Sequence, residues 1–286
     1  MPRISASELT SLIKLILRNG SFKIKPYDYE KVKLEQWREN PLNNLAVDPE
    51  KTKRRWGKKL LHLPIIGPSI AFASYYKHQY RWPTFIYHWP ERKLAYVRIS
   101  KCACTSIQSA LLQGQYPDEP ISLLDTNQIN QLGLKFIKPY LEPGYTCFTV
   151  VRDPLKRLIS CFRDQGQVSN DFYYFNDYIF KVFKPNMSFE NFVDVVSRIP
   201  DTLKDIHFRP QYKFLERLPG VKVFRIERDK DDLVKFLNDY GLTLPHLNSY
   251  HDSDNEIVFG SDTIKKVTEI YKEDYKILNY QKPLLQ

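Results

Sequence analysis

The pattern of hydrophobic and polar positions divides the chain near residue 92. From residue 93 onwards, apolar runs typical of buried strands alternate with segments whose apolar residues recur at helical spacing. Strands are predicted at 93–100, 145–151 and 221–226. Strands that alternate with helices predict a three-layer α/β/α domain, P-loop-like in outline, with a mainly parallel central sheet. In that architecture ligands bind at the carboxyl ends of the strands.

Helix signals follow each predicted strand. Asp153 and Pro154 suit the first turn of a helix, because aspartate caps the amide groups and proline lacks one. Gly241 suits the left-handed residue that ends a helix. The predicted helices span 106–113, a segment that begins at 153, 189–196, 231–240, and 263–271 with an extension to 279 left open.

Residues 1–92 have a less regular pattern, with many prolines and all four tryptophans of the protein. We predict an N-terminal extension at 1–92 that packs on a core domain at 93–286. A basic cluster at 51–59 precedes the apolar segment 60–76, which is too short and too rich in proline and glycine to span a membrane. Such a pair could contact an anionic membrane surface or the acceptor, although we favour a segment buried against the core.

The composition of the chain limits the class of binding partner but does not identify the partner. The net charge of +10 favours anionic partners, which include nucleic acid, membranes, acidic polysaccharides and nucleotides. The four cysteines do not have the spacing of a zinc site, and we expect reduced, mostly buried thiols. Since no secretory signal is evident, we expect a cytoplasmic protein, with peripheral membrane contact left open. A Golgi location would follow if the sequence is trimmed of an anchor.

Candidate chemistry gathers where the strand at 93–100 meets its helix. Lys101 there is followed by a stretch of small residues and hydroxyls that ends at Ser106. Small residues, hydroxyl donors and a helix N-terminus suit a phosphate group, and the lysine adds a mobile positive charge. The segment differs from the P-loop of nucleoside triphosphatases, because it has no glycine and its lysine precedes the hydroxyls.

A second junction follows the strand at 145–151. Arg152 ends that strand, and Ser160 lies eight residues later on the predicted helix. A guanidinium group can hold a phosphate through two hydrogen bonds, and the serine can add a hydroxyl. An ion pair between Arg152 and Asp153 that merely caps the helix is the alternative.

Together the two junctions resemble the cofactor elements of sulfotransferases that use 3′-phosphoadenosine-5′-phosphosulfate (PAPS), particularly the Golgi-type carbohydrate sulfotransferases of the family 2 type. Further matches follow in the same order at 205–211, 223–227, 244–249 and 271–280, so the resemblance covers about residues 94–280. It implies that Arg152 and Ser160 hold the 3′-phosphate. It also implies a 5′-phosphosulfate loop made of Lys101, Cys102, Ala103, Cys104, Thr105 and Ser106.

The resemblance implies transfer of a sulfonate group from PAPS to a hydroxyl of a carbohydrate or glycoconjugate by in-line displacement. Lys101 would stabilise the leaving phosphate oxygen, and no metal is required. The catalytic base stays open. His207 is the first candidate, followed by Glu119 and Asp125, and a structural role for His207 is a strong alternative.

Two other hypotheses remain. A kinase-like phosphotransferase would need the Walker glycines and an aspartate for Mg²⁺, which the sequence does not supply. A non-catalytic protein that binds anions through its basic face is the other. Neither accounts for the ordered matches, and we expect no nucleic-acid partner.

Overall fold

A computed structural model describes a large part of the chain: residues 4–21, 65, 69, 72–73, 85–125, 128–129, 132, 143–166, 178–216, 218–245 and 259–284. The basic cluster at 51–59 and nearly all of 60–76 lie outside the described residues, as does most of 244–249. The proposed membrane or acceptor contact of that region therefore stays a prediction, and so do the domain boundaries.

Four strands form one sheet in the order β1-β2-β3-β4. Strands β2, β3 and β4 are parallel, whereas β1 is antiparallel to β2 and pairs Ile86 with Val97. The hydrophobic pattern does not predict β1, which falls inside the segment expected to be irregular. The strands are β1 (Phe85–Trp89), β2 (Leu94–Arg98), β3 (Thr146–Val151) and β4 (Lys222–Arg225).

Among the described residues, α-helix is more abundant than strand. They are α1 (Ala6–Asn19), α2 (Cys104–Gln115), α3 (Pro154–Cys161), α4 (Phe189–Arg198), α5 (Tyr212–Leu215), α6 (Lys230–Asn238), α7 (Ser261–Ile270) and α8 (Lys272–Ile277). A single π-helical turn, Phe162–Gly166, continues α3. The predicted C-terminal helix is thus two helices, and Gly241 adopts the expected left-handed conformation with φ of 71°.

The strand side chains alternate between two apolar layers, as a buried sheet requires. Tyr96 and Phe148 face the layer that holds α2 and α6. Val97 and Val151 face the opposite layer, to which Phe214 of α5 contributes. A further cluster joins α1, α3, α4 and α7. The prediction of a three-layer α/β/α domain with a mainly parallel sheet is confirmed.

Within the described residues, no helix is both long and apolar enough to cross a lipid bilayer.

Candidate active site

The first junction is a backbone loop in an unusual conformation. Lys101 and Ala103 have positive φ angles of 68° and 56°, in the left-handed region that residues with a Cβ avoid. Each such residue costs about 1–2 kcal/mol, so the loop persists only where its surroundings hold it.

Contacts on three sides hold this loop. The Ser100 carbonyl accepts a hydrogen bond of 2.9 Å from Arg157 Nε, and the Lys101 carbonyl lies 3.5 Å from a guanidinium nitrogen of Arg152. Cys102 is fully buried, and burial raises the pKa of its thiol to about 12. Cys102 therefore anchors the loop as a neutral side chain, and its thiol is not a nucleophile.

The loop leads into a helix whose N-terminus has no cap. The side chain of Ala103, at the N-cap of α2, makes no capping hydrogen bond. The first amide groups of a helix have no acceptor within the helix, and they carry the positive end of its dipole. Thr105 and Ser106 add hydroxyls on this first turn. The predicted phosphate loop is therefore a set of donors suited to an anion.

Lys101 is paired with a carboxylate that carries no predicted role. Its Nζ lies 2.6 Å from Oδ2 of Asp164, on the π-helical turn, and the two side chains are 15% and 39% exposed. The catalytic lysine expected from the sequence is thus held beyond the C-terminal end of α3, the helix that the second junction begins.

The second junction begins with a conventional helix cap. The Asp153 carboxylate accepts a hydrogen bond of 2.9 Å from the Lys156 amide at the start of α3. Burial raises the pKa of Asp153. Arg152 has no ion pair with a described carboxylate, and the guanidinium is directed toward the first junction. Ser160 lies half-buried on the last turn of α3.

A buried arginine connects both junctions with the segment 205–211. Arg157 is 1% exposed, and its guanidinium donates to the carbonyls of Ser100, Arg209 and Ile206 at 2.9, 2.7 and 2.9 Å. No role is predicted for Arg157 from the sequence alone. The sequence could have indicated its importance through its position in the helix. Arg157 lies on the buried face of α3, which also carries Pro154, Leu158 and Cys161.

The segment 205–211 carries His207 in a tight pair with a buried acid. One oxygen of the Asp205 carboxylate accepts from the His207 amide at 2.9 Å and lies 2.6 Å from His207 Nδ1. A carboxylate at Nδ1 favours the tautomer with its proton there, which leaves Nε2 as the basic nitrogen.

The buried thiol of Cys161, whose pKa burial raises to about 12, lies on α3 with Arg157. The Arg157 guanidinium donates to the carbonyl of Ser100, next to Lys101, and to that of Ile206, next to Asp205. The acid that orients His207 and the lysine of the phosphate loop therefore share one region of the molecule.

The other two base candidates lie elsewhere. Glu119 and Asp125 follow the C-terminal end of α2, and the helix of twelve residues is about 18 Å long. Asp125 caps a turn by accepting from the Gln128 amide at 2.8 Å. Neither acid has a described contact with the phosphate loop.

Within the described residues, no group of three or more potential ligand residues could hold a metal ion.

Comparison with known proteins gives one match. The model of the Sulfotransferase family matches residues 85–281, which is more than half of the chain. The matched segment begins at the first residue of β1 and contains both junctions and His207. No curated protein and no solved structure matches this chain.

Proposed function

The chain belongs to the sulfotransferase family, and on this premise we propose that it transfers a sulfonate group from PAPS to a hydroxyl of a carbohydrate or glycoconjugate.

The contact between the two junctions is the main observation in favour of PAPS as the sulfonate donor. The Arg152 guanidinium lies 3.5 Å from the Lys101 carbonyl, at the ends of two adjacent parallel strands. A nucleotide with a 5′-phosphosulfate and a 3′-phosphate needs two cationic or amide-rich sites at short separation. The uncapped start of α2 would supply one, and we assign the other to Arg152, before α3, with Ser160 on that helix.

Each residue then has a distinct task. When bound, PAPS supplies the sulfonate group and a phosphate leaving group. Lys101 and the amides of α2 stabilise the charge that develops on the phosphate oxygen. Arg152 binds the 3′-phosphate, which distinguishes PAPS from other adenine nucleotides.

His207 is the base that the geometry favours among the three candidates. With the Nδ1 proton held by Asp205, Nε2 would be the nitrogen that accepts the proton of an acceptor hydroxyl. Arg157 links the segment that carries Asp205 to the loop that carries Lys101, because its guanidinium donates to the carbonyls of Ile206 and Ser100. Asp205 is then a positioning residue, because it acts through the imidazole. Its burial at 1% exposure keeps water away from that hydrogen bond.

The second part of the proposal is that the acceptor is a carbohydrate or glycoconjugate. It is supported by the resemblance of both junctions to carbohydrate sulfotransferases. The net charge of +10 is also compatible with an acidic glycan.

Calorimetry on the unaltered protein and on Arg152→Ala tests the donor. The ligands are 3′-phosphoadenosine-5′-phosphate (PAP, the product of the donor), 5′-AMP and Mg·ATP. We expect PAP to bind with micromolar affinity and at least about 30-fold more tightly than 5′-AMP, a difference of about 2 kcal/mol. Arg152→Ala should abolish most of that difference.

The alternatives give other patterns. Equal binding of PAP and 5′-AMP to the unaltered protein would refute the sulfotransferase proposal. Tighter binding of Mg·ATP than of PAP would favour a kinase-like phosphotransferase. A preference for PAP would justify a screen of glycan acceptors with labelled PAPS.

A further inference from the structure

One buried side chain contacts both phosphate-binding junctions. Gln211 is fully buried, and its amide oxygen accepts from the Arg152 amide at 3.0 Å and from the Cys102 thiol at 3.3 Å. Its amide nitrogen donates to the Arg152 carbonyl at 2.7 Å. The side chain thus holds both polar backbone groups of Arg152 and, in the other junction, the buried anchor of the phosphate loop.

The contact with Arg152 continues the sheet beyond its last strand residue. Strand β3 ends at Val151, and a neighbouring strand would pair with the next residue through both its N–H and its C=O. Gln211 makes that same pair of hydrogen bonds with its side-chain amide. The backbone of Arg152 is therefore fixed although none of the described strands pairs with it.

Gln211 is itself held in place. Its backbone amide donates to Oδ2 of the buried Asp274 at 2.8 Å, and the Tyr212 amide donates to Oδ1 at 2.8 Å. Two residues earlier, the Arg209 carbonyl accepts from Arg157 at 2.7 Å. A side chain anchored at both ends can transmit position from one junction to the other.

We propose that Gln211 is a positioning residue that sets the distance between the phosphate loop and Arg152, and thereby the preference for nucleotides that carry both a 5′- and a 3′-phosphate. This inference rests on the proposed function, because it takes the two junctions as sites for one nucleotide.

The chain contains a matched comparison for this role. Gln108 on α2 is also fully buried, yet neither polar atom of its side-chain amide has a hydrogen-bond partner among the residues that the structure describes. A glutamine kept for its volume alone would resemble Gln108. Gln211 instead satisfies groups in two separate loops, which are 50 residues apart in sequence at Cys102 and Arg152.

The experiment compares Gln211→Met with Gln108→Met, since methionine keeps the length of the side chain and removes the amide. Binding of PAP and 5′-AMP is measured by calorimetry, and folding by thermal unfolding. In Gln211→Met we expect PAP affinity to fall about 30-fold and 5′-AMP affinity about 3-fold, so the preference for the 3′-phosphate falls about tenfold. In Gln108→Met both affinities should stay within about twofold.

A purely structural role predicts a different result. Gln211→Met would then lower the unfolding temperature while the ratio of the two affinities stays unchanged, and that outcome would overturn the inference. A loss of the same ratio in Gln108→Met would also overturn it, because any buried amide would then suffice.

Two further comparisons keep the test decisive. If Gln211→Met does not fold, Gln211→Asn retains an amide that is too short to contact both loops, and it should lose the preference as well. A preference that survives in the folded variant contradicts the inference alone. No preference in the unaltered protein would overturn the proposed function, and this inference with it.

Discussion

The two strand-to-helix junctions occupy equivalent places at the ends of β2 and β3, yet their helices begin in opposite ways. At the first, Lys101 and Ala103 adopt left-handed conformations and α2 has no cap. At the second, the Asp153 carboxylate caps α3 and Pro154 occupies its first turn. The first junction is strained and open to an anion, whereas the second is relaxed and already occupied by an acid.

The difference indicates two ways to bind a phosphate group on one sheet. An uncapped helix start offers free backbone amides to a phosphate, and the helix itself fixes the positions of these donors. A capped start has used those amides, so under the proposed function binding would fall to a side chain, here the Arg152 guanidinium. The rigid site suits the reacting phosphosulfate, and the side-chain site suits recognition of the 3′-phosphate, which does not react.

Ala103→Asp makes the first junction resemble the second and should have the largest effect. A carboxylate at the start of α2 would repel the phosphosulfate, and two charges about 4 Å apart near a protein surface interact by about 4 kcal/mol. We expect PAP affinity, measured by calorimetry, to fall by about 1000-fold while thermal unfolding changes little. Aspartate tolerates the left-handed conformation of this position.

Two variants complete that test. Ala103→Asn has the same shape without the charge, and its PAP affinity should stay within about tenfold of the unaltered protein. Asp153→Ala removes the acid from the other helix and should cost about 1 kcal/mol of stability with little change in affinity. Equal losses for Ala103→Asp and Ala103→Asn would mean that shape, not charge, controls this site.

Much of this comparison can be predicted from local sequence. The placement of Lys101 and Arg152 after two apolar strands, and of Asp153 and Pro154 at a helix start, follows from periodicity and capping preferences. These features depend on residues within a few positions of each other. The order of strands and helices that defines the α/β core depends on the same local signals.

The remainder depends on contacts between distant segments. Strand β1 forms by pairing with β2, and its five residues lie between prolines at 83 and 90, which obscure the strand pattern. The left-handed loop is held by Arg157, which lies 57 residues from the carbonyl that it contacts at Ser100. Glu119 and Asp125 are candidate bases by their order along the chain, whereas their position after the C-terminal end of α2 depends on how that helix extends from the loop.

Asp274 holds Gln211, and through it the second junction, by a hydrogen bond from the Gln211 amide. Protonation of Asp274 therefore gives a way to perturb the second junction by pH. Burial raises the pKa of Asp274 to about 6, above the ordinary aspartate value, although two amides donate to it. A raised pKa in the folded state means stability that is present at low pH and is lost as pH rises toward 6. The shift corresponds to a loss of up to about 3 kcal/mol between pH 4 and 7.

Urea unfolding of the unaltered protein and Asp274→Asn measures this effect. The asparagine does not titrate, so the stability advantage of the unaltered protein should be greatest near pH 4 and should shrink by pH 7. PAP affinity should weaken in the variant, because Gln211 loses one of the amide contacts that hold it. An advantage that grows with pH would show that Asp274 is a stabilised carboxylate with a lowered pKa.

Asp164→Asn should have the smallest effect and the opposite sign. Lys101 lies 2.6 Å from the Asp164 carboxylate, so under the proposed function PAP would have to compete with that ion pair. Because the Asp164 side chain is 39% exposed, we expect the pair to contribute about 1 kcal/mol, and removal of the charge should raise PAP affinity about threefold at low salt and less at high salt. Asp194→Asn is the matched control, since Asp194 pairs with Arg198 at 2.9 Å and Lys266 at 2.7 Å and has no described contact with either junction. Equal gains in the two variants would reflect net charge alone. A loss of affinity confined to Asp164→Asn would mean that Asp164 orients Lys101 toward the phosphate, and that the open junction also depends on a side chain from the far end of the helix that the capped junction begins.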